Sequence, residues 1–463
     1  MNSPKTPLTV GIRAAVGALV IAVAATAVVL VSSIDVPTVE RKPLVLTADT
    51  TQNTSRTLVC DGGFAELGAD PSHPEVAVPV GAPVIARAGD KAETRELTRL
   101  TGGPGLPEVL SFGGDDPLAA AQLQNVSTET LRGSVASACA EPLNEQWLIG
   151  GSTDLGVTTT LNVGNPGRVP ATVQVTAFDE AGQVDAVQTA GVIVAPGAQV
   201  TISLNGYAPD RARLAVRVSS TGAPVTAALS VGHRVGLTSF GVSSVDRQAA
   251  PDTRLVIVGV ANSAGDNQGP SDAGEGDPYP VTVRAFAPGG ESTTASVRAL
   301  DGKGHATDLG VIEIAPDAVG ELKVSTWPRG SAAIEVRSDV PVIASALGSA
   351  ERGADHDYEW FTPSPAITAG ETVAVPVVGQ GVVYVAHPGE GTVEVTVTDA
   401  KGKAISTELS PGSVRSVAVP ANSTLTATGE VFAGVRHLEG ADIAGYPVLP
   451  ATQRDGTLTV YTR

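Results

Sequence analysis

A threefold internal repeat limits what this chain can become more than any other feature. Asn165-Pro166-Gly167 is followed by an alternating run, Val173, Val175 and Ala177, and then by Asp179-Glu180-Ala181-Gly182. The same order returns as Ala287-Pro288-Gly289, Ala295, Val297, Ala299 and Asp301-Gly302-Lys303-Gly304. It returns again as His387-Pro388-Gly389, Val393, Val395, Val397 and Asp399-Ala400-Lys401-Gly402. Apolar residues two apart share one face of a strand, and Asp-x-x-Gly supplies a turn that tolerates left-handed backbone. A second turn follows at Pro196-Gly197, Pro316-Asp317 and Pro411-Gly412, with apolar residues six and eight places after each proline. Two further alternating runs close each unit: Leu214, Val216, Val218 then Val225, Ala227, Leu229 in the first. Ile334, Val336 then Val342, Ala344, Ala346 answer in the second, and Leu425, Ala427 then Val431, Ala433, Val435 in the third. Short strands and closely spaced turns predict an all-β chain of tandem immunoglobulin-like antiparallel β-sandwich modules, preceded by one transmembrane helix.

That helix is expected at residues 11–31, an apolar run of Gly, Ala, Val, Ile and Leu with Lys5 and Arg13 near its start and Asp35 and Glu40 beyond its end. At about 1.5 Å per residue it spans roughly 30 Å, the thickness of the hydrocarbon core. The charge asymmetry places the N-terminus in the cytoplasm and the bulk outside, as a single-pass cell-membrane protein. The alternative is secretion after cleavage of a signal peptide, because Ala22-Val23-Ala24 offers small residues at suitable spacing. The chain then divides into a cytoplasmic tail 1–10, a signal-anchor 11–31, a stalk 32–45 containing Pro37 and Pro43, a cysteine-bearing β module 46–141, and sandwiches at 142–249, 250–365 and 366–463. The second sandwich carries an acidic insertion at 262–280 with Asp266, Asp272, Glu275 and Asp277; calcium favours such oxygens, yet the spacing matches no defined loop. Leu458 and Val460, near the C-terminus, read as a last strand pairing back into the third sandwich.

With 48 acidic against 30 basic residues and a formal charge of −18, nucleic acid is excluded as a partner and anionic lipid surfaces are unfavourable. Cys60 and Cys139 are the only cysteines. In an oxidising exterior two cysteines flanking one module are expected to pair, closing a loop worth about 4 kcal/mol on the entropic model. Two free thiols or a metal pair are the alternatives, the latter without a Cys-x-x-Cys or nearby His in support.

Candidate chemistry is sparse. No Gly-x-Ser-x-Gly, His-Glu-x-x-His, phosphate loop or nucleotide fingerprint occurs, so no catalytic, cofactor-binding or metal-ligating residue is assigned. His387 shares its repeat position with Asn165 and Ala287, which makes it a turn residue. Asp355-His356-Asp357-Tyr358-Glu359-Trp360 is the densest polar cluster. It reads as a linker between the second and third sandwiches whose aromatics pack on a neighbour; a metal site or acid–base pair is the competing reading. Trp147, Trp327 and Trp360 are isolated in sequence, and Trp147 is expected as a core or inter-domain plug.

The passage Glu145-Gln146-Trp147-Leu148-Ile149-Gly150-Gly151-Ser152-Thr153-Asp154-Leu155-Gly156, with Leu161 to Val173, Val194 to Ala198 and Leu204 to Pro209, resembles a domain-of-unknown-function family of actinobacterial membrane-anchored exported proteins, family number 5719. Cys60 before a glycine-rich turn and Cys139 before the Trp147 segment also fit, whereas Asp61-Gly62-Gly63 stands where a proline-containing turn is more usual. The resemblance implies an envelope protein and carries over no catalytic residue. The expectation is a non-enzymatic, membrane-tethered extracytoplasmic scaffold or interaction module, its partner an envelope protein or glycan. The alternatives are a glycan-binding accessory to cell-wall or polysaccharide assembly, if a tryptophan lies exposed beside a groove, and a hydrolase, if carboxylates converge in a pocket.

Overall fold

The computed structural model describes residues 15–26, 45–49, 55–70, 72–73, 76–89, 91–113, 117–185, 191–236, 238–263, 280–451 and 457–461. They are mostly strand and fall into two compact units, one comprising Met1–Asn53 with Arg454–Arg463 and the other Thr54–Gln453.

In the larger unit each repeat folds as two facing sheets. The first repeat sets Glu145–Ile149, Ala215–Thr221, Ala171–Phe178 and Val192–Val194 side by side in one sheet, and Thr238–Val245, Thr226–Val235, Val157–Asn165 and Ala198–Ser203 in the other. Counted along the chain, the order is first–sixth–third–fourth against eighth–seventh–second–fifth. The second and third repeats reproduce both orders. Immunoglobulin domains keep the first, second, fifth and fourth strands together, so the likeness is to a two-sheet architecture and not to that connectivity. Alternation does the work expected of it: Val173, Val175, Val216 and Val218 of one sheet meet Leu161, Val163, Leu229 and Val231 of the other, all buried. Each fully buried valine contributes about 1.5 to 3 kcal/mol.

The turns follow the sequence signals. Oδ1 of Asp179 accepts the N–H groups of Ala181 and Gly182; Oδ1 of Asp301 accepts those of Lys303 and His305, and Oδ1 of Asp399 those of Lys401 and Lys403. At the Pro-Gly turns the third residue is left-handed in all three copies, with φ of 68° at Gly197, 53° at Asp317 and 68° at Gly412. A glycine bears this freely; aspartate is among the few other residues that do.

In the second repeat the sixth and seventh strands are one, Ser331–Arg352, which pairs with Thr293–Asp301 in the first sheet and then with Thr282–Phe286 in the second.

The module before the repeats is built differently. Ser55–Cys60, Glu108–Gly113 and Glu93–Glu96 form one small sheet, and Arg132–Ala138, Ala119–Ser127 and Val84–Ala88 another. The modules are not beads on a string. The outer face of the first repeat, Trp147, Ile149, Phe178 and Ala215, packs on Phe286, Val319 and Ile343 of the second. The equivalent positions of the second repeat, Val256, Val258, Leu300 and Ala333, pack on Ala386, Val414 and Phe432 of the third. The same outer face of the third repeat, at Ala374, meets Ala88 and Ala119 of the N-terminal module. That module in turn lays Thr98–Arg99 in parallel beside Ala198–Gln199 of the first repeat. Within the larger unit the tandem modules thus form a ring of four, in which the N-terminal module occupies the place a further repeat would take.

In the smaller unit the helix covers residues 15–26. Twelve residues reach about 18 Å, short of the roughly 30 Å required, and among the described residues no helix is long and apolar enough to cross a membrane. The remaining residues of the expected span, 11–14 and 27–31, lie outside the described residues. Thr457–Tyr461 pairs antiparallel with Val45–Asp49, with Val45 opposite Tyr461. The last strand therefore does not return to the third sandwich, and Leu46 does not open the cysteine-bearing module.

Candidate functional site

The polar cluster at residues 355–360 is not a linker. It is the eighth strand of the second repeat, Asp355–Phe361, and it lies where the ring closes on itself. The eighth strands of the other repeats, Thr238–Val245 and Asp442–Pro447, pack against it together with Arg132–Ala138 of the N-terminal module. Tyr358 and Trp360 join the core of the first repeat, so the expectation that its aromatics pack on a neighbour holds. Sequence alternation missed this strand because both its faces are buried.

Asp357 is fully buried at this junction. Its Oδ2 accepts the backbone N–H of Ser134 at 2.8 Å and of Ile443 at 3.1 Å, while Oδ1 accepts that of Val242 at 3.1 Å. One carboxylate thus receives a donor from each of the other three modules. Burial pushes this carboxyl upward, and the amide donors pull it back. The seat exists because two glycines leave room: a Cβ on Gly133 would lie 2.3 Å from Oδ1, and one on Gly241 2.7 Å.

Further carboxyls surround it. Oε2 of Glu359 accepts Ser243 Oγ at 3.1 Å, and Oδ2 of Asp246 accepts the N–H of Ala138 at 3.2 Å. Burial drives both well above the usual carboxylate range, and for Asp246 the neighbouring Asp61 adds to the effect. Burial also raises Asp61 to about 7 against the opposing pull of Ser137 and Arg247. These acids converge inside packed protein: the hollow lined by Asp61 and Asp246 measures about 10 Å³, barely room for one water. His356 is buried and donates from Nδ1 to the Phe240 carbonyl at 2.9 Å. Among the described residues no group of three or more His, Cys, Asp or Glu is placed to hold a metal ion.

A pH dependence follows. A carboxyl that is protonated in the folded chain and ionised in the unfolded one stabilises the fold at low pH and loses that contribution as pH rises through its folded pKa. His233 and His437, both pushed down to about 4 by burial, act in the opposite sense only below about pH 6.5. Between pH 7 and 8 the carboxyls act nearly alone, so the melting temperature should fall across that interval. An equal or higher melting temperature at pH 8 would mean that these acids are already ionised in the folded protein.

A cleft of about 500 Å³ opens between the first and second repeats. Arg284 forms its floor, with the guanidinium 4.5 Å from the Trp360 ring centre and Nε 2.9 Å from Glu321. Its Nη groups donate to the carbonyls of Ala212, at 2.9 Å, and Gly151. Burial pushes this guanidinium down, and Glu321 opposes that. Two of the Arg284 hydrogen bonds at the cleft floor therefore join the second repeat to the first.

The other singled-out residues have structural positions. Cys60 and Cys139 are joined in a disulfide, with Cα atoms 4.2 Å apart. His387 is buried in the turn between the second and third strands of its repeat, its Nδ1 3.0 Å from the Glu430 carbonyl, and Asn165 uses its amide on the carbonyls of Val169 and Val194 in the same way. Trp147, Trp327 and Trp360 are 5, 4 and 5% exposed, so none offers an open face to a sugar ring. Trp147 is the plug between repeats one and two. The acidic insertion at 262–280 lies outside the described residues except at its ends.

No curated protein matches the chain, and no solved structure does. The profile of the family of unknown function DUF5719 matches residues 110–427, from the N-terminal module through most of the third repeat, and the chain belongs to that family.

Proposed function

We propose that this is a non-enzymatic, extracytoplasmic envelope protein, tethered to the cytoplasmic membrane through residues 11–31, whose immunoglobulin-like sandwich modules act together as one docking body. The observation that carries the reading is the use to which the buried polar groups are put. Asp357 and Arg284 direct their hydrogen bonds to other modules of the same chain, which suits a body that must hold its shape while partners bind outside it. The disulfide fits an oxidising compartment. Fractionation of cells producing the full chain, followed by capture of bound material from solubilised membranes, tests the proposal. The chain should sediment with membranes and retain an envelope protein; recovery in the cytosol would end it.

A further inference from the structure

We propose that Asp357 is the latch of a ring that can open at one seam, the seam between the N-terminal module and the third repeat. Chain order links the N-terminal module to repeat one, repeat one to two, and two to three; nothing in the chain order links the third repeat back to the first module. The side chains that the N-terminal module carries into that closing seam are mostly alanines, with Leu123 beside them, and they share a core with Val373, Val375 and Tyr446 of the third repeat. Ala88, Ala119 and Ala374 meet there, with Ala121 and Ala136 nearby, whereas Trp147, Phe178 and Phe286 fill the seam between repeats one and two, the last two rings 4.5 Å apart. Alanine buries little area, so such a contact contributes far less than an aromatic one.

Asp357 compensates. Its Oδ2 takes the N–H of Ser134 from one side of the closing seam and that of Ile443 from the other. A single atom therefore bridges the two modules that meet at the closing seam, and it stands on the second repeat. Arg132 adds an outer clasp across the same line through Asp442 at 3.0 Å. Losing the carboxylate leaves both buried amides without their acceptor, and opening the seam to water is the cheapest way to satisfy them. The ring then opens locally and the four modules stay folded.

Hydrogen exchange of the full-length protein tests this, since local opening exposes amides of one region ahead of global unfolding. In the unaltered protein the amides of 119–121, 132–138 and 373–375 should exchange sooner than those of 171–178 and 215–221. Asp357→Ala, which removes the acceptor altogether, should speed the first group by about tenfold or more and leave the second unchanged. Ala374→Glu, which places a charge in the alanine-lined seam far from the latch in sequence, should reproduce that pattern. Equal exchange of the two groups in the unaltered protein, or uniform acceleration in both variants, overturns the proposal.

Discussion

Arg284→Ala is expected to destabilise the larger unit by about 3 to 5 kcal/mol, the usual cost of removing one partner from a buried ion pair. Glu321 would keep its charge in a site where its side chain is 9% exposed, with only Arg213 at 3.7 Å to answer it. The carbonyls of Gly151 and Ala212 would lose their donors, and the face of Trp360 would lose its cation. The cost comes from what is left behind, so removing both partners should recover much of it. Arg284→Met with Glu321→Leu should be clearly more stable than Arg284→Ala alone. Urea unfolding of the three variants makes the comparison; a loss below about 1 kcal/mol for Arg284→Ala would show the pair to be as well screened as a surface bridge.

Replacing both Cys60 and Cys139 by alanine should cost about 4 kcal/mol, the entropic value for a cross-link between residues 79 apart. The two sulfurs sit in a small core with Leu58, Leu110, Leu118 and Ala120, and both cysteines are buried, so reductant should reach the bond only after the module opens. The counter-argument is local: Val59 and Ala140 already exchange two backbone hydrogen bonds, at 2.9 and 3.0 Å, beside the bridge. If those hold the loop ends together in the unfolded ensemble, the cross-link removes less entropy. The urea midpoint of the double variant decides between the two, and no shift would mean the disulfide adds nothing to closure.

The two losses should also differ in where they act. The disulfide belongs to the N-terminal module, whereas Arg284 joins repeats one and two. Each therefore reports on a different part of the ring.

Much was legible before any coordinates. Val173, Val175 and Ala177 alternate because one face of their strand is buried and the other is not, and a period of two records that difference directly. The Asp-x-x-Gly and Pro-Gly turns are local as well, since the side chain and the backbone groups it satisfies lie within four residues of each other. Two cysteines in the whole chain leave one pairing to consider. The β character, the turn positions and the disulfide followed from contacts that are short in sequence or have a single solution.

Tertiary structure decided the rest. Asp355–Phe361 reads as a linker because a strand buried on both faces shows no alternation, and only its neighbours explain why Asp357 and Glu359 can be inside. Strand order, the partner of Thr457–Tyr461 and the closing of three repeats and a dissimilar module into a ring are pairings between residues tens to hundreds apart. The free energy of such contacts depends on which surfaces meet, and one strand's pattern of apolar and polar positions is compatible with many partners.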